Sequence, residues 1–245
     1  MPFFIEKCII LFMKYDKKGE ISYSLGTTLT FELLLRKPDV VKKVYISEKQ
    51  KRDETYQKLV SLAKKHNIPV IENNQKIFSL SEKENTFVIG EFAKFHTKEK
   101  IQGNHVVLVN PSNMGNLGTI FRSCAAFGID FLAIIRPAAD CFDPKCIRST
   151  MGAIFSLPFK YFNSFDEYQK EYPNQHFYPF MLQTENKLKE VKKEKPCSLI
   201  FGNEATGLDH SFLNVGNPVK IEQTSAVDSL NLDNAVSIGI YSFLD

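Results

Sequence analysis

"NPSNMGNLGTIFRSCAAFG", residues 110–128, is the stretch that decides the fold of this chain. Its first thirteen residues hold three asparagines, two glycines and one arginine, and they lead into an apolar run with helical spacing. Residues 106–109, directly before it, are a continuous apolar run, which is typical of a parallel strand covered on both faces. Because Gly and Asn let the backbone approach a ligand closely, the stretch predicts a ligand-binding loop between a strand and a helix.

The rest of the C-terminal part repeats this arrangement. Strands are predicted at residues 131–135, 177–182, 198–201 and 219–221, with helical stretches between them and a closing helix in "NLDNAVSIGIYSFLD". This alternation is typical of an α/β domain with a mainly parallel sheet. Two further polar loops, "FGNEATGL" and "QTSAVDSLN", follow the strands that end at Phe201 and Ile221. Ligands bind beyond the carboxyl ends of such strands, so these are the candidate binding loops.

The first part of the chain predicts a smaller α/β domain. Helices are predicted over residues 29–35 and 56–63, and strands over 41–46, in "IPVIE" and in "TFVIGEFAKF". The polar "HTKEKIQGN" reads as an exit linker, which gives domains over residues 1–98 and 99–245. The N-terminal "FFIEKCIILFM" is far shorter than the roughly 20 residues of a membrane span, and it is predicted to be a core strand.

The charge is divided unevenly along the chain. Residues 1–98 carry a net charge of +6 and residues 99–245 a net charge of −3, while the 43% apolar content is normal for a globular protein. Clustered Lys and Arg gain affinity for a phosphate backbone by releasing counterions. The division therefore indicates an anionic partner for the first part, with a solvated lysine-rich surface as an equal alternative.

The cysteines and the missing motifs exclude several classes. Five cysteines, an odd number, without a signal peptide predict no disulfide framework and a cytosolic location. Cys141 and Cys146 have no second cysteine pair and no nearby histidine, so no metal site is predicted. The sequence also lacks GxGxxG, GxxxxGK[ST] and GxSxG, which argues against a dinucleotide fingerprint, a phosphate loop and a serine hydrolase.

The segments "NPSNMGNLGTIFRSCAAFG", "LIFGNEATGL" and "DSLNLDNAVSIGIYSF" resemble, in order and spacing, the three motifs of the SpoU/TrmH family of RNA ribose 2′-O-methyltransferases in the SPOUT superfamily. The resemblance covers roughly residues 105–245. It implies a C-terminal α/β trefoil-knot domain that binds S-adenosylmethionine and forms a homodimer. Residues 1–95 resemble, more weakly, the α/β/α substrate-binding domain, similar to a ribosomal protein, that many rRNA-directed members carry. The expected activity is methyl transfer to a ribose 2′-hydroxyl of structured RNA, with rRNA favoured.

The resemblance also implies roles for individual residues. The positions that match the family's catalytic group are Arg122, Asn116, Glu204, Ser229 and Asn231, and those that match its cofactor pocket are Gly202, Ile221 and Leu230, together with Ser229 and Asn231. A guanidinium is not deprotonated in proteins, so Arg122 is predicted to clamp phosphate and the developing alkoxide. Glu204, Ser229 or a phosphate oxygen would then remove the proton. Free N–H groups at the helix start are predicted to dock RNA phosphate.

Three alternatives remain open at this point. They are a tRNA ribose methyltransferase, a catalytically silent RNA-binding relative, and an unrelated α/β enzyme that uses another nucleotide. The retained Arg122, Glu204, Ser229 and Asn231 argue against the silent relative, because a binding module does not need that set. Asp233 and Asn234 stand where smaller or apolar residues are common in the family, which leaves substrate choice open.

Overall fold

The computed structural model describes residues 13–72, 74–83 and 85–244. The chain forms two compact units, of which the first ends at Ala93 and the second begins at Lys94. The strand predicted near the N-terminus lies, apart from Met13, outside the described residues. None of the described helices is long and apolar enough to cross a membrane.

The first unit is a four-stranded mixed sheet with two helices. Its elements are β1 (Ile21–Leu25), α1 (Thr27–Arg36), β2 (Val41–Ile46), α2 (Glu54–Lys65), β3 (Val70–Glu72) and β4 (Val88–Ala93), with short 3-10 helices at Pro38–Val40 and Gln75–Leu80. The strand order is β1-β4-β2-β3. β4 runs antiparallel to both of its neighbours, whereas β2 and β3 are parallel. Both predicted helices are therefore present, and β1 is an addition to the predicted strands.

Strand β1 was not among the predicted strands, although its sequence, ISYSL, alternates apolar and polar residues. Its polar face is not exposed to solvent, because Ser22 and Ser24 are fully buried. The Ser24 hydroxyl lies 2.9 Å from the Thr30 hydroxyl of α1. A side chain at Gly90 of the neighbouring strand would come within 2.6 Å of the Ser24 oxygen. Small residues thus allow α1 to pack closely on the sheet.

The second unit is a five-stranded parallel sheet in the order β7-β6-β5-β9-β8, which confirms the predicted parallel α/β architecture. Its elements are β5 (His105–Val109), α3 (Met114–Ala126), β6 (Phe131–Ile135), α4 (Pro144–Thr150), β7 (Phe159–Phe162), α5 (Phe165–Glu171), β8 (His176–Pro179), β9 (Cys197–Phe201) and α6 (Leu232–Ser242), with 3-10 helices at Ala153–Phe155 and His210–Asn214. The predicted strand over 219–221 is wrong, because only isolated bridges form there, from Val219 to Phe180 and from Lys220 to Lys187.

Helix α3, which begins inside the quoted stretch, packs between α4 and α6. A side chain at Gly118 would collide with Ser149 and lie 2.8 Å from the Cys146 carbonyl oxygen, so this glycine serves close helix packing. On the other side, the hydroxyls of Ser123 and Ser237 are 2.8 Å apart and join α3 to α6. The four described cysteines are buried and free.

A buried polar network lies at the start of β5. The His105 side chain is fully buried, with Nδ1 2.8 Å from the Tyr168 hydroxyl and Nε2 3.1 Å from the Ile101 carbonyl oxygen. Burial lowers the pKa of His105 to about 4, although the Ile101 bond acts in the opposite direction. The ring is therefore neutral at pH 7, with Nε2 donating to Ile101 and Nδ1 accepting from Tyr168.

Candidate active site

The three loops predicted from the sequence meet at the carboxyl edge of the second unit's sheet. A pocket of about 310 Å³ opens there, between the loop that follows β9 and the segment that leads into α6. Five of the predicted site residues line it, namely Gly202, Glu204, Ile221, Ser229 and Leu230. Asn116, Arg122 and Asn231 do not line it.

Glu204 joins the second loop to the first. One carboxylate oxygen, Oε2, accepts hydrogen bonds from the Ser112 backbone N–H at 3.0 Å and the Ser112 hydroxyl at 2.8 Å. The other, Oε1, accepts from the Asn113 backbone N–H at 3.0 Å and from Asn116 Nδ2 at 3.3 Å. The structure thus brings Asn116 and Glu204 together, and both oxygens of the carboxylate are used within the protein.

The start of α3 is already filled, so the predicted phosphate dock at this position is wrong. Asn113 caps the helix, because its Oδ1 accepts from the N–H groups of Gly115 at 2.8 Å and Asn116 at 3.2 Å. The N–H groups of Ser112 and Asn113 bind the Glu204 carboxylate. The N-terminus of a helix favours an anion, and here the chain supplies its own.

These contacts also set the charge state of Glu204. Burial raises the pKa of this carboxyl, but the hydrogen bonds from Ser112 and Asn113 outweigh it and hold the pKa below its usual value. With Asn203 Nδ2 at 3.5 Å from Oε2, the carboxylate has five donors, and a carboxylate so bound, with a low pKa, is a weak proton acceptor at neutral pH. The geometry therefore favours a role for Glu204 in holding the two loops over a role as general base.

The second loop is tight enough to require glycine at its start. A side chain at Gly202 would collide with the backbone of Gly207 and Leu208, because the loop folds back on itself. The Asn203 N–H donates to the Gly207 carbonyl oxygen at 3.2 Å, and the Gly207 N–H donates to the Asn203 carbonyl oxygen at 2.9 Å. Asn203 Nδ2 donates to the Asn110 carbonyl oxygen at 2.8 Å, which adds a second tie between the loops.

The third loop closes the other side of the pocket. Gln223 Nε2 donates to the Asp228 carbonyl oxygen at 3.0 Å, and the pocket-lining Ser229 and Leu230 follow. Asn231 is the N-cap of α6, where its Oδ1 accepts from the Asp233 N–H at 3.4 Å. Asn231 thus has a structural role beside the pocket, because Asn is a preferred residue at helix N-caps.

The pocket is acidic. Among the described residues that line it, Glu204 and Asp228 carry negative charge and no Lys or Arg is present. The Asp228 side chain is exposed and makes no hydrogen bond or ion pair with any residue that the structure describes. Such a lining attracts a cation and repels phosphate, so it suits a positively charged nucleoside better than a nucleotide.

Arg122 lies outside the pocket, in the second half of α3. Its guanidinium is exposed and forms no ion pair or hydrogen bond within the described chain. It follows Gly118 by one helical turn, on the side of α3 toward α4. The structure therefore leaves this side chain available to a ligand and does not bring it to the other predicted site residues.

Sequence reasoning missed Ser112, Asn203 and Asp228. Asn110, in contrast, explains part of the asparagine-rich pattern, because it adopts a left-handed conformation with φ of 55° as the chain leaves β5. Asn tolerates this region better than most residues. The asparagines of the quoted stretch thus turn the chain, cap α3 and bind Glu204, in the order Asn110, Asn113, Asn116.

A model of the SpoU rRNA Methylase family matches residues 103–241, which hold all three loops. The chain belongs to this family. A relative in Streptomyces viridochromogenes, a 23S rRNA (uridine(2479)-2′-O)-methyltransferase, is 31% identical over 144 residues, which are 56% of this chain. The match takes up 50% of that relative, so the chain matches about half the length of this curated protein.

Solved structures extend the likeness to most of the chain. The AdoMet-bound rRNA methyltransferase from Sinorhizobium meliloti superposes with a TM-score of 0.79 at 22% identity, and the match covers 91% of this chain and 86% of that one. At this identity the likeness concerns the fold alone. A structure described as giving insight into 2-OH methylation of C/U34 on tRNA has a TM-score of 0.55 at 28% identity. That match covers 58% of this chain and 94% of the other.

Proposed function

We propose that this protein transfers a methyl group from S-adenosylmethionine to a ribose 2′-hydroxyl of structured RNA. The observation that carries the proposal is the acidic pocket formed where the family's loops meet. Glu204 and Asp228 line it, with no Lys or Arg among the described lining residues. S-adenosylmethionine is a nucleoside with a positively charged sulfonium, which this lining suits. A nucleotide cofactor with phosphates would be repelled, which argues against an unrelated nucleotide-using enzyme.

The residues that would hold the cofactor come from the second and third loops. Gly202 leaves backbone groups at one wall, and Ile221 and Leu230 supply apolar surface on the other. The chemistry that S-adenosylmethionine supplies when bound is a methyl carbon that an oxygen nucleophile attacks in line, while the C–S electron pair leaves on a neutral thioether. Ser229 and Asn231, which lie beside these positions, would orient the ribose of the RNA substrate.

Arg122 is proposed as the clamp for RNA phosphate and the developing alkoxide. A guanidinium stays protonated and presents a planar fork of donors, so it stabilises negative charge and takes no proton. Because Glu204 is committed to five donors, the 2′-hydroxyl proton is proposed to pass to a phosphate oxygen of the RNA or to water. Asn116 acts through Glu204 as a positioning residue.

The first unit, with its positive charge, is proposed to bind the RNA, and rRNA is the favoured substrate. The match with the structure concerned with tRNA covers 58% of this chain and 94% of the other chain. The other chain therefore has few residues left that could form a counterpart of the first unit. The structural relative that matches 91% of this chain is described as an rRNA methyltransferase. A tRNA substrate remains the alternative that the experiment must separate.

A homodimer formed through the C-terminal helix is also proposed, with a cytosolic location and the knotted threading that the family resemblance implies. Of the apolar residues in and directly after this helix, Val236, Ile240 and Phe243 are buried, whereas Tyr241 is 68% exposed. Ile238 and Leu244 are exposed on the same helix and its end. This apolar face supports self-association. Sedimentation at micromolar concentration should give a dimer, and a monomer there would contradict the proposal.

The decisive test maps ribose methylation in the RNA of cells with and without the gene. Loss of one 2′-O-methyl group in rRNA supports the proposal, and loss in tRNA selects the alternative substrate. Calorimetry with S-adenosylmethionine separates the remaining cases. Cofactor binding without any change in RNA methylation would point to a catalytically silent relative, and absence of binding would refute the cofactor assignment.

A further inference from the structure

We propose that RNA phosphates bind one end of the first unit, which we call the basic pole and define as residues 36–43 and 64–66. This inference rests on the proposed function and specifies which surface of the first unit meets the RNA. The pole holds the end of α1, the start of β2 and the end of α2. Its basic residues are Arg36, Lys37, Lys42, Lys43, Lys64 and Lys65, and its acidic residue is Asp39.

The sheet register brings these separate segments to the same end. Val44 of β2 pairs with Val70 of β3, and the Val44 N–H donates to the Pro69 carbonyl oxygen at 2.9 Å. Only residues 66–69 separate the end of α2 from β3, so Lys64 and Lys65 lie near the start of β2. The helix α1 reaches the same end through the short turn Pro38–Val40.

A β-bulge turns two consecutive lysines toward solvent. In the pairing of β2 with β4, Val41 is opposite Phe92 and Lys43 is opposite Glu91, so Lys42 is an extra residue. Side chains alternate between faces along a regular strand, yet Lys42 and Lys43 are both exposed. Bulges commonly re-aim a side chain in this way. The strand thus adds two cations to the pole.

Charge concentrates at this end of the unit and not at the opposite one. The pole has a net charge of +5, close to the +6 of residues 1–98 as a whole. At the carboxyl ends of β2 and β3, residues 47–54 and 72–83 hold five basic and five acidic residues, which cancel. A general lysine-rich surface would spread its charge over both ends.

Four of the lysines of the pole are also uncommitted. The side chains of Lys42, Lys43, Lys64 and Lys65 are exposed and make no ion pair or hydrogen bond with any residue in the described ranges. The two arginines of the unit are paired, Arg36 of the pole with Glu32 at 2.6 Å and Arg52 with Glu72 at 2.9 Å. Uncommitted lysines that are spread over β2 and α2 suit a ligand with many spaced phosphates rather than one small anion. RNA is such a ligand, and binding should depend strongly on salt.

The experiment compares two variants with the same loss of charge in the full-length protein. The pole variant carries Lys42→Gln, Lys43→Gln, Lys64→Gln and Lys65→Gln. The matched control carries the four changes Lys49→Gln, Lys51→Gln, Lys76→Gln and Lys83→Gln, all at exposed positions toward the other end. Affinity for a fluorescein-labelled RNA hairpin is measured by anisotropy across a series of salt concentrations, with thermal unfolding and S-adenosylmethionine binding as checks on folding.

The pole variant should lose at least tenfold in RNA affinity at low salt, and the slope of log K against log[salt] should become shallower by about 3, since each phosphate contact contributes about 0.7 to 0.9. The control should stay close to wild type. Equal losses in the two variants, or no loss in the pole variant, would overturn the inference while leaving the proposed function intact. The inference would also be overturned if the pole variant lost binding to phosphatidylserine vesicles while its RNA binding was unchanged. A wild-type protein without RNA binding would refute both proposals.

Discussion

Replacing Glu204 by Gln tests whether this carboxylate holds the two loops together. The N–H groups of Ser112 and Asn113 bind different oxygens of Glu204. A glutamine has one accepting oxygen, and a backbone N–H cannot reverse its role. Whichever way the amide turns, one of these N–H groups therefore faces an NH₂ group. Losing a hydrogen bond to a charged acceptor in this way should lower the free energy of unfolding by about 2 kcal/mol.

Glu167 provides a matched control within the same unit. Its Oε2 accepts the Asn163 N–H at 2.7 Å, and the residue lies in the first turn of α5. The amide oxygen of Glu167→Gln can still accept this single N–H, so the expected loss is below about 1 kcal/mol. Urea unfolding of both variants at pH 7.5, followed by single-turnover methylation, makes the comparison.

The reasoning fails if Glu204→Gln unfolds like wild type while its methyl-transfer rate collapses, because the carboxylate would then act in the chemistry alone. The pH dependence gives a second check. The pKa of Glu204 is lower in the folded chain than its ordinary value of 4.5. Its stabilisation is therefore present above pH 4.5 and is lost as the pH falls below it. Glu204→Gln should lack that part of the acid destabilisation.

Three further predictions concern α3 and the start of β5. Arg122→Ala and Arg122→Lys should both lower the single-turnover rate about a hundredfold, with cofactor binding and stability nearly unchanged. Lysine should not rescue the rate, because it lacks the planar fork of donors. A near-normal rate in Arg122→Ala would remove this residue from the mechanism. The contribution of His105 to the free energy of unfolding should rise by about 3 kcal/mol from pH 4 to pH 6.5, because His105 loses its proton in the unfolded chain and is already neutral in the folded one; His105→Asn should remove this part of the rise in urea titrations. Gly118→Ala should lower the free energy of unfolding by about 1 to 3 kcal/mol, because the added methyl group collides with α4. Gly115 is exposed, so Gly115→Ala should change the free energy of unfolding by less than about 1 kcal/mol.

Local patterns predicted the strands that form continuous apolar runs. β5 and β6 are buried along almost their whole length, and their apolar runs marked them as parallel strands. β7 was missed because it has only four residues at the edge of the sheet, with Lys160 and Tyr161 half-buried between Phe159 and Phe162. The segment around Val219 is apolar and buried but makes only isolated bridges, so its pattern resembles that of a strand.

The candidate site was predictable as a set of loops but not as a set of contacts. Glycine and asparagine marked each loop, because tight turns and caps need them. The bond from Ser112 to Glu204 joins residues 92 positions apart, and no local pattern encodes such a partner. The same limit explains the wrong phosphate dock. An open helix start was inferred from the first loop alone, while the anion that fills it comes from the second.

The filled helix start has a consequence for how RNA is placed. Four N–H groups at the beginning of α3 would bind phosphate beside the pocket if the Glu204 carboxylate and the Asn113 cap did not occupy them. With that position taken, Arg122 further along the helix is the cation that α3 itself offers to a phosphate. Glu204 thus excludes a competing anion as well as tying the loops. Glu204→Ala should expose the N–H groups of Ser112 and Asn113, so inorganic phosphate should inhibit methyl transfer by this variant at concentrations that leave wild type unaffected. Equal sensitivity of the two proteins to phosphate would show that the carboxylate does not guard this position.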